Sequence, residues 1–319
     1  MSDKIGHIPF ISIEAESIPG AHYDAIKAVS EKGLELRTQY DRKNNAGEYI
    51  DPPGRDAKVA IRVEDPFAEP RFPASSWCER GKYIAELLGA KDHLVVPYKE
   101  LKAMIKDGKE FSATNWPYAY HQRLASYPTE DGPIDQLEVC LDKLAKDPIS
   151  RRAVAITPLP QIDLFMTEDQ PCLREIALRA MDDENDGLVL NMDAYWRSRD
   201  LFKAWPDNMI GVSNLHRQLA NRLSEKTGKE VSVGPYTEFC SSLHIYGQDF
   251  TEKGADKFLT TFPTKEDYIV RSMDSATTRD MMILDELKDL KKEPTWNFGP
   301  KQIEIIDKLI HDFESGATP

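Results

Sequence analysis

Between residues 186 and 250 the hydrophobic period of the chain changes twice. DGLVLNMDAYWRSRD alternates, with Leu188, Leu190, Met192 and Ala194 on one side, and reads as a strand. DNMIGVSNLHRQLANRLSEKTGKE, residues 207–230, carries Val212, Leu215, Leu219 and Leu223 at helical intervals, so it reads as a helix with one buried stripe. SSLHIYGQDF, residues 241–250, returns to alternation and reads as a second strand. A strand, a long helix and a strand in succession require a sheet with a helix packed on it, an α+β arrangement.

The flanking segments extend that pattern. Residues 20–50 read as a helix and then a polar loop that closes on Pro-Pro-Gly. Residues 55–66 alternate through Val59, Ile61 and Val63 and read as a strand. GKYIAELLGA and YKELKAMIKDG read as one helical region stopping at Gly108. Ile134, Leu137, Leu141 and Leu144 predict a helix over 132–148, and RRAVAITPLP a short strand led by two arginines. From about residue 252 the chain is charged and helical. No repeat or linker divides it, and a single domain over residues 1–319 is expected.

Composition narrows the function. With a net charge of −13, the chain lacks the positive field that steers proteins to DNA or anionic membranes. It contains no apolar run of roughly 18 residues, and its start lacks the layout of a signal peptide. Cys78, Cys140, Cys172 and Cys240 form no Cys-x-x-Cys pair, so free thiols, no metal site and a cytoplasmic location are expected. There is no Gly-x-Gly-x-x-Gly and no P-loop motif, which removes the usual phosphate-cradling readings.

Four elements carry groups with chemical uses. Arg151 and Arg152 could be a solvated pair or a phosphate clamp, since guanidinium forks match phosphate oxygens. Cys172, behind a proline in DQPCLREI, is either a small buried hydrophobe or a nucleophile. YWRSRDLFKAWPDN offers Arg197 and Ser198 to an anion, and Asp200 and Asn208 to a heterocycle edge. The bland alternatives are a capping carboxylate for Asp200 and a helix cap for Asn208. His244 and Tyr246, two apart on a strand, face one side together.

The order of these elements resembles the thymidylate synthase family. DPISRRAVAITP, QPCL, LNMDAYWRSRDLFKAWPDNMIGVSNLHRQLA and LHIYGQD follow one another at the family's spacings, across residues 148–249. Residues 1–50 and 252–319 diverge from it. The resemblance implies a large mixed sheet flanked by helices, in a homodimer packed sheet to sheet. It implies one-carbon transfer to C5 of a pyrimidine nucleoside monophosphate through a Cys172–C6 adduct. Thymidylate formation from dUMP is the main expectation. A 5-hydroxymethyl product from dUMP or dCMP is the alternative, and a non-catalytic nucleotide- or RNA-binding relative a further one.

By the same resemblance Arg55, Arg151, Arg152, Arg197 and Ser198 hold the phosphate, with Arg151 and Arg152 reaching the partner subunit's site. Asn208 reads the base, and His244 and Tyr246 the deoxyribose. Asp200 meets the carrier, either 5,10-methylenetetrahydrofolate or a modified tetrahydropterin such as methylene-tetrahydromethanopterin. Tyr118, in YAYHQR, lies near the nucleophile. The catalytic glutamate is Glu86, with Glu100 as rival. The chain departs from the family at Leu173, where histidine is usual, and lacks the Gly-Asp pair before the His-x-Tyr strand and the apolar closing tail.

Overall fold

The computed structural model describes residues 6–75, 79–166 and 170–319. In chain order its strands are β1 (Phe10–Ala15), β2 (Leu34–Leu36), β3 (Gly54–Val63), β4 (Ala153–Ile156), β5 (Leu173–Asp182), β6 (Leu188–Trp196), β7 (Arg199–Asp200) and β8 (Val231–Ile245). The helices used below are α1 (Ile18–Lys32), α2 (Arg80–Leu87), α3 (Tyr98–Asp107), α4 (Tyr120–Ala125), α5 (Gln136–Lys146), α6 (Pro160–Asp163) and α7 (Ala204–Thr227). The chain forms two compact units. The first holds Met1–Trp77, Trp196–Met209 and Tyr236–Asp274; the second holds Cys78–Tyr195, Ile210–Pro235 and Ser275–Pro319.

In the first unit β1 runs parallel to β3, while β2 and β8 pair with β3 antiparallel. Alternation places Ala57, Val59, Ile61 and Val63 inward along β3. Helix α1 covers this face with Ile18, Ala21, Ala25, Ile26 and Val29. It starts where expected of its cap: the Ser17 hydroxyl accepts a hydrogen bond from the Gly20 N–H, and Pro19 lies in the first turn, where no N–H partner is lost.

In the second unit the first residues of β8 continue into the order β8-β6-β5-β4. Strands β4 and β5 are antiparallel, with Ala153 opposite Leu178 and Ile156 opposite Glu175. Helix α5 packs on them through Leu137, Cys140, Leu141 and Leu144, and its cap Asp135 accepts from the Glu138 N–H at 2.8 Å. Parallel and antiparallel pairs together give the mixed sheet of the α+β class expected from sequence. Among the described residues no helix is long and apolar enough to cross a membrane.

Several boundaries differ from the sequence reading. Ile134 is exposed and bridges to Tyr127, because Asp135 starts α5 one residue later. The residues between Gly81 and Gly108 form two helices, separated by a tight turn at Asp92–Leu94. Arg151 and Arg152 precede β4 rather than lie in it. Helix α7 begins at Ala204, so Asn208 sits inside the helix and is not its cap. Strands β1, β2 and β5 and the first ten residues of β8 were not assigned from the sequence, although Pro9, Gly33, Pro171 and Gly228 stand just before them.

The stripe on α7 was legible: Val212, Leu215, Leu219 and Leu223 are all buried. Leu219→Ala is expected to lower stability by about 3 kcal/mol in urea unfolding, through lost burial and a residual cavity. The exposed Val270→Ala is expected to change it by less than about 0.5 kcal/mol.

Candidate active site

In the second unit Cys172 sits on the bend that opens β5. Its N–H donates to the Tyr120 hydroxyl at 3.2 Å, and its Sγ lies 3.8 Å from the Gln170 carbonyl. The strand behind it is locked. The Thr157 hydroxyl donates to the Leu173 carbonyl, and the Thr157 N–H donates to the Arg174 carbonyl at 3.0 Å. Leu173 points inward and is buried, so the departure from the family's histidine becomes a core contact. Of the free cysteines described, Cys140 and Cys240 are buried and Cys172 is half-buried. Burial pushes the Cys140 and Cys240 thiols up, which keeps them protonated. Cys78 lies outside the described residues.

The family resemblance places Tyr118 near the nucleophile. The hydrogen bond to Cys172 comes from Tyr120, whose ring lies 5.6 Å from that of Tyr118. Both tyrosines belong to YAYHQR, and spacing alone does not separate them. The element is fixed from behind by Arg123, a buried guanidinium that donates to Asp163 at 2.9 Å and to the Thr157 carbonyl at 3.0 Å.

Glu86 and Glu100 have different surroundings. Glu100 is exposed in the first turn of α3. Glu86, on α2, accepts from the Lys91 ammonium at 3.0 Å. Burial raises the Glu86 carboxyl above its ordinary range, and Lys91 pulls it back. The turn that brings Lys91 round requires Gly89. Its φ is +98°, and a Cβ there would meet the His121 ring at 2.7 Å. The Lys91 ammonium lies 4.3 Å from the Trp296 ring and 5.5 Å from the Trp116 ring. His93 donates to the Trp296 carbonyl at 2.6 Å, which seats the Pro294–Trp296 turn on this element. Lys91 and Trp296 were not singled out in the sequence, because neither belongs to a motif.

Arg151 and Arg152 are exposed in the turn before β4. Among the described residues neither guanidinium meets a carboxylate within salt-bridge distance. Among the described residues no group of His, Cys, Asp and Glu is arranged to hold a metal ion.

The first unit gathers most of the remaining candidates. Arg55, Ser198, His244 and Tyr246 line one cavity of about 120 Å³, together with Asp56 and Tyr40. The His244 and Tyr246 rings meet edge-on at 4.6 Å, as their shared strand face requires. Arg55 is held by Glu35 at 2.7 Å. Asp200 accepts from the Phe202 and Lys203 N–H groups, which makes it the cap of the turn leading into α7. Burial raises its carboxyl, opposed by these N–H groups and by the Lys203 ammonium. Lys203 also reaches Asp249 at 3.0 Å.

Asn208 and Arg197 flank a buried charge that the sequence reading passed over. Arg199 is 2% exposed and pairs with Glu238, 1% exposed. Trp205 Nε1 donates to Glu238 at 2.8 Å, and the Tyr236 hydroxyl donates to it at 2.9 Å. Arg199 Nε donates to Asn208 Oδ1 at 3.3 Å and the guanidinium stacks 4.0 Å from the Trp196 ring. The signal was present in Arg-Ser-Arg-Asp between two tryptophans, where a cation on an apolar strand needs a buried partner.

The second unit thus offers a half-buried thiol before β5, and the first unit a cavity lined by Arg55, Ser198, His244 and Tyr246. The family model for thymidylate synthase matches residues 99–295. The chain belongs to the thymidylate synthase family. A candidate thymidylate synthase of Methanococcoides burtonii is 30% identical over 240 residues, covering 75% of this chain and 90% of that protein. One from Methanosarcina barkeri is 24% identical over 250 residues, covering 77% and 93%. The deoxyuridylate hydroxymethyltransferase of Bacillus phage SP01 is 25% identical over 292 residues, covering 84% and 71%. The thermostable thymidylate synthase A of Bacillus subtilis shares the fold, with a TM-score of 0.51 at 18% identity, covering 74% of this chain and 82% of that one.

Glu238→Ala would leave Arg199 buried and unpaired. We expect it to lower stability by about 3–5 kcal/mol in urea unfolding, well beyond the loss from an exposed ion pair such as Lys292–Asp289.

Proposed function

We propose that the chain transfers a one-carbon unit to C5 of a pyrimidine nucleoside monophosphate, forming thymidylate from dUMP. The observation that carries the proposal is Cys172, the half-buried thiol at the head of β5 with its backbone held by Tyr120. Its thiolate adds to C6 of the ring. The C5–C6 double bond opens and C5 gains enolate character, which converts a poor nucleophile into a competent one. The Asn208 amide supports the charge that develops at O4, and an amide in this place suits uracil better than cytosine. Arg199 holds the Asn208 Oδ1, which fixes the plane of that amide.

Arg197, Ser198 and Arg55 take the phosphate. Glu86 handles the protons at O4 and C5. Its half-buried, raised carboxyl supports this choice over exposed Glu100. Asp200 faces the carrier, a methylene-tetrahydrofolate or a modified tetrahydropterin. A buried carboxyl of raised pKa beside backbone N–H groups suits the polar edge of a pterin. When bound, the carrier supplies the one-carbon unit and, for a methyl product, the hydride. The reaction takes place in the cytoplasm, where the cysteines stay reduced.

Release of a 5-hydroxymethyl nucleotide is the second reading. It is favoured by the phage hydroxymethyltransferase, which matches more of this chain than the two methanogen proteins described above. Mass spectrometry of products from dUMP, dCMP, UMP and CMP with methylene-tetrahydrofolate separates the two: a methyl gain supports the synthase, a hydroxymethyl gain the alternative. Cys172→Ala is expected to abolish turnover and the covalent adduct with 5-fluoro-dUMP. Full turnover in that variant refutes the nucleophile.

The active form is proposed to be a sheet-to-sheet homodimer, with Arg151 and Arg152 serving the partner's phosphate. The outward sheet faces support this. Phe10 stacks on Phe239 at 6.4 Å in the first unit, and Val154, Ile156 and Met181 are exposed in the second. Mixing inactive Cys172→Ala chains with inactive Arg151→Ala/Arg152→Ala chains then rebuilds one intact site per mixed dimer. Roughly a quarter of wild-type activity is expected after random exchange. No recovery refutes the shared phosphate site.

Lys91 stabilises ionised Glu86. Lys91→Met therefore raises the Glu86 pKa further and leaves less carboxylate at a given pH. The acid limb of the kcat/KM profile is expected to move to higher pH, with activity recovered as pH rises.

A further inference from the structure

In the first unit's cavity His244, which the family resemblance assigns to the sugar, ends a polar chain whose other members, Asp56 and Ser242, neither the resemblance nor the comparisons give a role. Asp56 on β3 and His244 on β8 are directly opposite each other in the antiparallel pair, so their side chains share a face. Ser242, two residues before His244, shares that face. The Ser242 hydroxyl donates to Asp56 Oδ2 at 2.8 Å. Its lone pairs are then available to His244 Nδ1, 3.4 Å away, and the Ser242 carbonyl lies 3.3 Å from the same nitrogen.

A carbonyl can only accept, so Nδ1 carries the proton. Burial lowers the His244 pKa, which keeps the ring neutral with one N–H. Nε2 therefore presents a lone pair. That atom is buried and has no hydrogen-bond partner among the described residues. A buried acceptor left without a donor costs about 1–3 kcal/mol, which a ligand hydroxyl would recover. The residues around it are those of the cavity: Arg55, Ser198 and Tyr246.

We infer that Asp56 and Ser242 are positioning residues that hold His244 in its Nδ1–H tautomer, so that Nε2 accepts a hydrogen bond from the sugar of the nucleotide. A deoxyribose 5′-phosphate has one free hydroxyl, at C3′, and this is the donor the site selects. Asp56 acts through Ser242: by accepting the hydrogen bond of the serine O–H it turns an oxygen lone pair toward the imidazole. The inference rests on the nucleotide reading given above. In this chain, which lacks the family's Gly-Asp pair before His-x-Tyr, the carboxylate near His244 comes from the neighbouring strand.

Calorimetric binding of dUMP and its 2′,3′-dideoxy analogue to the full chain tests this without turnover. Wild-type protein is expected to prefer dUMP by about tenfold, the value of one good hydrogen bond. In Asp56→Ala and Ser242→Ala that preference falls to about twofold or less, through weaker dUMP binding with the analogue unchanged. Ser242→Thr, which keeps the hydroxyl, retains it. A preference undiminished in the alanine variants overturns the inference, as does an equal loss for both nucleotides, which marks a merely structural role. Wild-type protein that binds both nucleotides equally overturns this inference alone. Wild-type protein that binds neither overturns the nucleotide reading and this inference together.

Discussion

A guanidinium and a carboxylate withdrawn from water must each be paired and hydrogen-bonded, or the folded state loses more than their attraction returns. Arg199 and Glu238 meet that demand with Trp205, Tyr236 and Asn208 as further partners. The pair crosses from β7 to β8, so it ties the two-residue strand to the long one. With Arg199 turned inward, alternation turns Ser198 and Asp200 to the other side. Ser198 then lines the cavity with His244 and Tyr246, and Asp200 caps the entry to α7. The candidate nucleotide residues of the first unit are thus arranged around one buried charge.

The second unit uses buried polarity differently. Glu86 is held away from water but given one cation, and that cation is in turn covered by the Trp296 and Trp116 rings. Burial raises such a carboxyl while the cation opposes it, a combination that suits the acid–base role proposed for Glu86. As the proposed nucleophile, Cys172 has the complementary requirement of access. It lies where β5 begins, with its backbone tied to Tyr120 while Leu173 and Thr157 anchor the strand behind it.

Much of this was legible before any coordinates. The α7 stripe, the alternation of β3 and β6, and the ordered succession of Arg151–Arg152, Cys172, Arg197–Ser198–Asp200 and His244–Tyr246 are local patterns. They depend only on period and spacing, which a chain carries in itself. Strand β5 was not legible, because its burial pattern breaks alternation at Arg174 and Glu175. Asn208 was placed at a helix start because the helical spacing was read from residue 207, yet α7 begins at Ala204 with Pro206 in its first turn, where proline is tolerated.

By itself the sequence determined which side chains are offered, in what order and on which face of each element. It determined the class of fold and, through the ordered motifs, the family. Tertiary structure decided the contacts between residues distant along the chain. Tyr120 rather than Tyr118 holds the Cys172 backbone, Trp296 closes over Lys91, and Asp56 faces His244. Arg199 finds Glu238 on another strand. Strand register and helix seating set these pairings, and neither is written into local periodicity: a shift of one residue between β3 and β8 would turn Asp56 away from His244 and leave every local pattern unchanged.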